Sequence, residues 1–149
     1  MNKNTVILNR ILARQMSSLL QYVQHARPWS GPADEATLAE LRQIIDEEQE
    51  ACRCLAAAIQ KRHATPATSK FHHGFSSSHF MSLEHFLPWL VSYQRWLIGQ
   101  TEKDLGQIHD DEEALACGRQ LLELSKKHLA RLEELARSRA GQQKLSTVR

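Results

Sequence analysis

A chain of 149 residues, 42% hydrophobic and 24% charged, has the length and balance of one globular domain and can bury a core without disulfides or a structural metal. With 19 Lys and Arg against 17 Asp and Glu the net charge is +2, so the basic field that nucleic-acid binding draws on is missing. The most apolar stretch, residues 80–98, contains Glu84, His85 and Arg95, which argues against a membrane span.

The first helical pattern covers about residues 5–26. Its apolar stripe is Leu8, Ile11, Leu12, Leu19 and Tyr22, at helical spacing except where Gln15 interrupts it. Asn9 and Arg10 break the apolar run near the start, so it does not read as a secretory signal. Arg27-Pro28 is expected to end the helix, because proline disfavours the helical conformation of the residue before it, and Trp29 to Pro32 reads as a tight loop.

A second helix is expected over residues 36–59, capped by Asp34 and free of proline and glycine. Its stripe is Leu38, Leu41, Ile44, Ile45, Leu55 and Ile59. Residues 64–79, ATPATSKFHHGFSSSH, form a connection rich in Ser, Thr and His, and long for neighbouring antiparallel helices. It has the length to cross the molecule and set the second and third helices parallel.

The third helix is expected from a cap at Ser82 to about Gly106, with Pro88 marking either a kink or the true start. Its stripe includes Leu83, Phe86, Leu87, Leu90, Tyr93, Leu97 and Ile98. The fourth helix is capped by Asp110 or Asp111, with Glu112 and Glu113 favoured by the positive end of its dipole. It is expected to end near Arg137 and carries Leu115, Leu121, Leu122, Leu129, Leu132 and Leu135. Residues 138–149 read as a basic, flexible tail. No alternating β pattern occurs. The expected fold is all-α: a single-domain antiparallel four-helix bundle with a long connection between its second and third helices.

Cys52 and Cys54 are two apart, so they point to different helix faces and do not form a CxxC pair. With Cys117 they read as small, reduced, packed residues of a soluble cytoplasmic protein.

Several polar residues fall inside the apolar stripes. Gln15 lies between Ile11 and Leu19, Glu47 and Glu48 between Ile44 and Leu55, and Ser125 and His128 between Leu121 and Leu132. A buried carboxylate needs a cation, a proton or a hydrogen bond, since burying it alone costs several kcal/mol. Glu47 and Glu50 are three apart, as are Ser125 and His128, so each pair shares a helix face and can converge on one ion. A Glu helix paired with a Glu-x-x-His helix, repeated twice, is the usual carboxylate-bridged di-iron arrangement.

On these residues the chain resembles the ferritin superfamily, and bacterioferritin most closely. The run LNRILARQMSSLLQYVQHARPW, residues 8–29, is similar to that family's first helix, with Gln15 at the position of its metal-binding Glu, seven before Tyr22. The run IIDEEQEACRCLAAAI, residues 44–59, is similar to the second, with Glu47 on the bridging Glu and Glu50 on the His. HLARLEEL, residues 128–135, resembles the last helix, with His128 on the ligand His and Ser125 on its Glu partner. The family's spacing puts the third-helix ligand at Ser92. Its haem-binding Met falls on Glu48, so no haem is expected. The likeness spans residues 8–135. It implies the fold, with a degenerate di-iron site: Glu47, Glu50 and His128 remain as candidate metal ligands, while Gln15, Ser92 and Ser125 are poor ones. A miniferritin is a variant reading, since Asp46 and Glu50 have its four-residue spacing; of its first-helix histidines only His25 is present, away from the matching positions.

Two functional readings follow. In the first, the site has decayed into a buried hydrogen-bond cluster, ferroxidase activity is gone, and the bundle serves as a structural or interaction scaffold. In the second, Glu47, Glu50 and His128 hold one Fe or Zn ion per chain for storage or redox work. By analogy with ferritin relatives, the chain is expected to form a homo-oligomer, at least a dimer, with no nucleic-acid or membrane partner. His72, His73 and His79 read either as a polar loop or as an exposed metal patch or pH-sensitive contact. Trp89 and Trp96, seven apart, read as packing or as dimer anchors. No P-loop, HExxH motif or nucleophile triad is present.

Overall fold

The computed structural model describes residues 2–25, 28 and 31–147. Among these residues the chain is helical, with no β-strand. The α-helices are α1 (Lys3–Met16), α2 (Leu19–Tyr22), α3 (Glu35–Lys61), α4 (Leu83–Leu105) and α5 (Glu112–Thr147), with short 3-10 segments at Pro32–Asp34 and His73–Phe80. None of the helices is long and apolar enough to cross a membrane.

The first expected helix is split in two. Its N-terminus is capped by Asn2, whose side chain accepts from the backbone N–H groups of Asn4 and Thr5. Two consecutive serines then divide it. The Ser17 hydroxyl bonds back to the Ala13 carbonyl at 2.8 Å, and the Ser18 hydroxyl accepts from the Gln21 N–H at 3.2 Å, starting α2. Serine competes with the helical ladder in this way, which apolar periodicity alone does not register. Helix α2 stops at Tyr22, short of the expected end near residue 26, and residues 23–25 form turns; residues 26, 27, 29 and 30, among them Arg27 and Trp29 of the expected helix end and loop, fall outside the described residues.

Asp34 does not cap α3 with its side chain. Its carboxylate instead accepts from the Gly31 N–H at 2.9 Å and pairs with Arg139. Ser82 likewise makes no cap bond for α4, and its hydroxyl meets His85 Nδ1 at 2.7 Å. The helix starts at Leu83, ahead of Pro88. For α5 the cap is Asp111, whose Oδ1 accepts from the Ala114 N–H at 3.1 Å, while Asp110 takes a left-handed φ of 55°. The α5 backbone stays helical to Thr147, past the expected end near Arg137. Arg139, expected in a flexible tail, is largely buried against Asp34 and Glu84.

Long-range polar contacts fix the helix directions. Asn9 near the start of α1 binds the backbone of Thr65 and Ala67 just beyond α3, and Gln21 of α2 reaches the Ile45 carbonyl. Helices α1 and α3 are therefore antiparallel. Arg62 meets Asp111, and Arg139 meets Asp34, so α3 and α5 are antiparallel. Asn4 at the start of α1 meets the His109 carbonyl just beyond α4, while Leu19 and Leu20 share a cluster with Leu83 and Phe86 at the start of α4, and Arg139 of α5 approaches Glu84, so α4 is antiparallel to both α1 and α5. Helices α3 and α4 consequently point the same way, and residues 62–82 run back along the molecule between them. Aromatic side chains hold that connection down: Tyr22 lies edge-on to Phe71 at 5.3 Å, and Phe75 meets Tyr93 at 5.5 Å between ring centres.

The buried apolar residues form two clusters. One contains Leu8, Ile11, Leu12, Leu55, Ile98 and Leu121 among others; the second contains Leu19, Ile44, Phe86, Leu87, Leu90 and Leu132. On each of the four long helices, the residues between the two clusters include at least one buried polar side chain.

Candidate functional site: a buried polar layer

Helix α1 supplies Gln15, α3 supplies Glu48, α4 supplies Gln94, and α5 supplies Ser125 and His128. All are at most 5% exposed, and Glu48 and Gln94 are completely enclosed. Each takes its place from helical spacing. Glu48 stands four residues after Ile44 and seven before Leu55, and Gln94 stands four after Leu90 and three before Leu97.

His128 is the centre of the layer. Its Nδ1 lies 3.2 Å from Glu48 Oε1, and its Nε2 lies 3.2 Å from Glu47 Oε2. Both ring nitrogens are thus occupied by carboxyl oxygens of α3. The amide of Gln94 donates to Glu48 Oε1 at 3.2 Å and to the Ser125 carbonyl at 3.1 Å. From Glu47 the network leads outward: Arg131 Nη1 donates to Glu47 Oε2 at 2.6 Å, and Arg131 Nε donates to Glu40 Oε1 at 3.1 Å. Burial works against the charged form of Glu47, but the Arg131 hydrogen bond and the charges of His128 and Arg131 outweigh it and hold its carboxyl below the usual range. Arg131 is moved the other way: burial opposes its charge, and the bonds from Glu47 and Glu40 raise it above the ordinary guanidinium range.

The layer is not fully satisfied internally. Glu48 Oε2, Gln94 Oε1 and both amide atoms of Gln15 are buried without a protein partner. Such atoms are costly in a dry interior, so this is where the core is least settled.

The sequence-predicted site residues are only partly brought together. Glu47 and His128 meet. Glu50 does not join them: it faces solvent and pairs with Arg53 on its own helix at 2.7 Å. Helical geometry explains the difference, because the buried face of α3 runs through Ile44, Glu48, Cys52 and Leu55, and Glu50 lies off it. Ser92 is exposed, and the inward residue of α4 is Gln94, two positions on. Gln15 and Ser125 are buried in the layer, Ser125 through its backbone carbonyl to Gln94. Asp46 and His25 are both exposed. Glu48, placed by resemblance at a haem-ligand position, is instead the buried carboxylate of the layer. Gln94, Arg131 and Glu40 also belong to the network, beyond the residues expected from the sequence. The Leu90–Gln94–Leu97 spacing would have revealed Gln94, whereas Arg131 and Glu40 carry no stripe signal.

These residues do not fit a two-metal carboxylate centre. Three of the inward positions are neutral, and Glu47 and Glu48 sit at opposite nitrogens of one ring rather than converging on a point. Among the described residues no group of three or more His, Cys, Asp and Glu side chains is placed to hold a metal ion.

The histidines of the connection are divided. His79 Nε2 meets the Tyr22 hydroxyl at 3.0 Å, while the His72 and His73 rings stack at 4.4 Å. Trp89 is half-buried against Phe86 and Phe75, and Trp96 is 50% exposed beside Tyr93. In comparisons with known proteins, no family model, no curated protein and no solved structure matches the chain.

Proposed function

We propose that this chain is a ferritin-like four-helix bundle whose metal-ligand layer has become a hydrogen-bonded polar layer, and that it works as a scaffold without ferroxidase activity. The observation that carries this reading is the position of His128. Both of its ring nitrogens face carboxylates, and Arg131 supplies a permanent positive charge to Glu47. A metal-binding imidazole needs a free lone pair aimed at the ion. Here both ring nitrogens are already taken by protein oxygens, and Arg131 supplies Glu47 with the positive charge that a metal would give. The family reading is supported by the helix directions, by the return of residues 62–82 along the molecule, and by polar residues from each long helix at one level of the core.

The scaffold reading also proposes association with further copies of the chain, and Trp96 and Phe80, 50% and 91% accessible, are, with Val6 and Met16, the large apolar side chains exposed among the described residues. The test is elemental analysis of the purified, untagged protein, followed by Fe²⁺ and Zn²⁺ titration and by light scattering for oligomeric state. The expected result is no stoichiometric iron or zinc and an assembly larger than one chain. About one tightly held Fe or Zn ion per chain, lost in a Glu48→Ala/His128→Ala variant, would replace this reading with that of a residual metal site. The unpartnered Glu48 Oε2 is the open donor such a site would use.

A further inference from the structure

A groove enclosing about 540 Å³ runs between α3 and α5 and is lined on one side by Ala51 and Cys54 and on the other by Cys117, Leu121 and Leu124. Its two thiols come from different helices. Cys54 is exposed and Cys117 partly buried, and neither is in a disulfide. The contacts on either side bracket them: Arg62 with Asp111 towards one end, and Glu47 with His128 towards the other. Interpolating between these pairs sets residues 54 and 117 within about one helical turn of the same height. Cys52 is not part of the pair. It packs into the apolar core next to a separate groove with Met16 and Phe71, and burial pushes its thiol up to about 12.

We propose that Cys54 and Cys117 form a two-thiolate site for a soft, thiophilic cation of the Cu⁺ class. Thiolates select soft cations over the harder ions that carboxylates prefer, and two thiolates suffice for a cation of low coordination number. The groove walls are apolar alanines and leucines, and the acids at its margins, Glu47, Glu50 and Glu123, are offset by Arg119 and Lys127, so the thiols rather than a charged field would select the cation. The Cys117 thiol is pushed up first by burial and then by the negative charge of Cys54, with Arg62 acting in the opposite sense. Binding forms two sulfur–metal bonds and releases the thiol protons to solvent, with no change of oxidation state.

The experiment is an anaerobic titration of the reduced, full-length protein with Cu⁺ against a chromogenic Cu⁺ chelator, with thiols counted before and after. The expected result is one Cu⁺ per chain and protection of two of the three thiols. Cys54→Ser and Cys117→Ser should each weaken binding by more than the roughly tenfold typical of losing an outer metal partner. Cys117→Ala guards against a packing effect of the serine. Cys52→Ala should bind as the parent does, which separates this site from the third thiol. Parent-like uptake by Cys54→Ser or by both Cys117 variants would overturn the proposal. So would half an ion per chain that depends on Cys54 alone, since that ion would bridge two molecules.

Discussion

His128 Nδ1 lies 3.2 Å from Oε1 of Glu48, a carboxylate with no exposed surface, and among the described residues the imidazole is the only ionisable group hydrogen-bonded to it. Glu47, on the other ring nitrogen, is 41% exposed and also holds Arg131. The two carboxylates therefore depend on His128 to different degrees. His128→Ala leaves Glu48 buried with only the Gln94 amide, a change expected to cost about 3–5 kcal/mol. Glu47→Ala removes a partly solvated partner and is expected to cost no more than about 1 kcal/mol. Urea unfolding of both variants measures the difference. Equal losses would mean that the layer is hydrated enough to screen Glu48.

The Arg62–Asp111 pair fastens the C-terminal end of α3 to the start of α5 with two bonds of 2.6 and 2.7 Å. Those bonds, first, and the N-cap bond from Ala114 hold the Asp111 carboxyl down, from 3.8 to about 2. A carboxyl depressed in the folded state contributes its full stability above its unfolded pKa and loses it as pH falls through the folded one. The loss is therefore expected between about pH 4 and pH 2 and amounts, after solvent screening, to on the order of 1 kcal/mol. Asp111→Asn should lower stability at pH 6 and differ much less from the parent near pH 2. A constant difference across that range in denaturant unfolding would show that the pair does not govern the acid limb.

The sequence is informative about this fold wherever spacing alone decides the outcome. Gln15, Ser125 and His128 were identified because each interrupts an otherwise apolar helical stripe, and each is buried at the level between the two apolar clusters. Glu50 does not join the layer because its three-residue spacing is counted from Glu47, which already lies off the buried line; two residues beyond Glu48, it stands roughly 160° away, on the solvent side of α3. A rotation of 100° per residue separates the adjacent positions 47 and 48, and only Glu48 lies on the line through Ile44 and Cys52. The division of the first helix at Ser17 and Ser18 depends on hydroxyl-to-backbone bonds that leave no trace in hydropathy. Arg131 and Glu40 belong to the network only through the packing of α3 against α5, a long-range relation that one sequence does not display.

Two glycines inside long helices are expected to respond in opposite directions to alanine. A Cβ at Gly99 in α4 would meet nothing within 4 Å, whereas one at Gly118 in α5 would run into the side chain of Leu105. Gly99→Ala gains helix propensity without a clash and should stabilise by about 0.5–1 kcal/mol. Gly118→Ala overfills the close approach of α5 to α4 and should cost about 1–3 kcal/mol. Thermal unfolding of the two variants reads the contrast directly. Stabilisation of both would mean that Leu105 can swing aside at little cost.

Arg139 ties the far part of α5 to the start of α3. It is 14% exposed and pairs with Asp34, 8% exposed, and more distantly with Glu84 of α4 at 3.7 Å. Asp34 also accepts from Gly31, so its carboxylate organises the turn that leads into α3. Removing the guanidinium leaves a buried charge with one backbone donor, a loss expected to be about 1–3 kcal/mol. Arg139→Ala, and deletion of residues 138–149, should therefore each lower the melting temperature by several degrees in a chain of this length. Asp34→Asn combined with Arg139→Ala should recover part of the loss, because the stranded charge is then gone. A flexible basic tail predicts instead that the deletion leaves the melting temperature unchanged, and differential scanning calorimetry of the parent, the point variants and the truncation decides between the two.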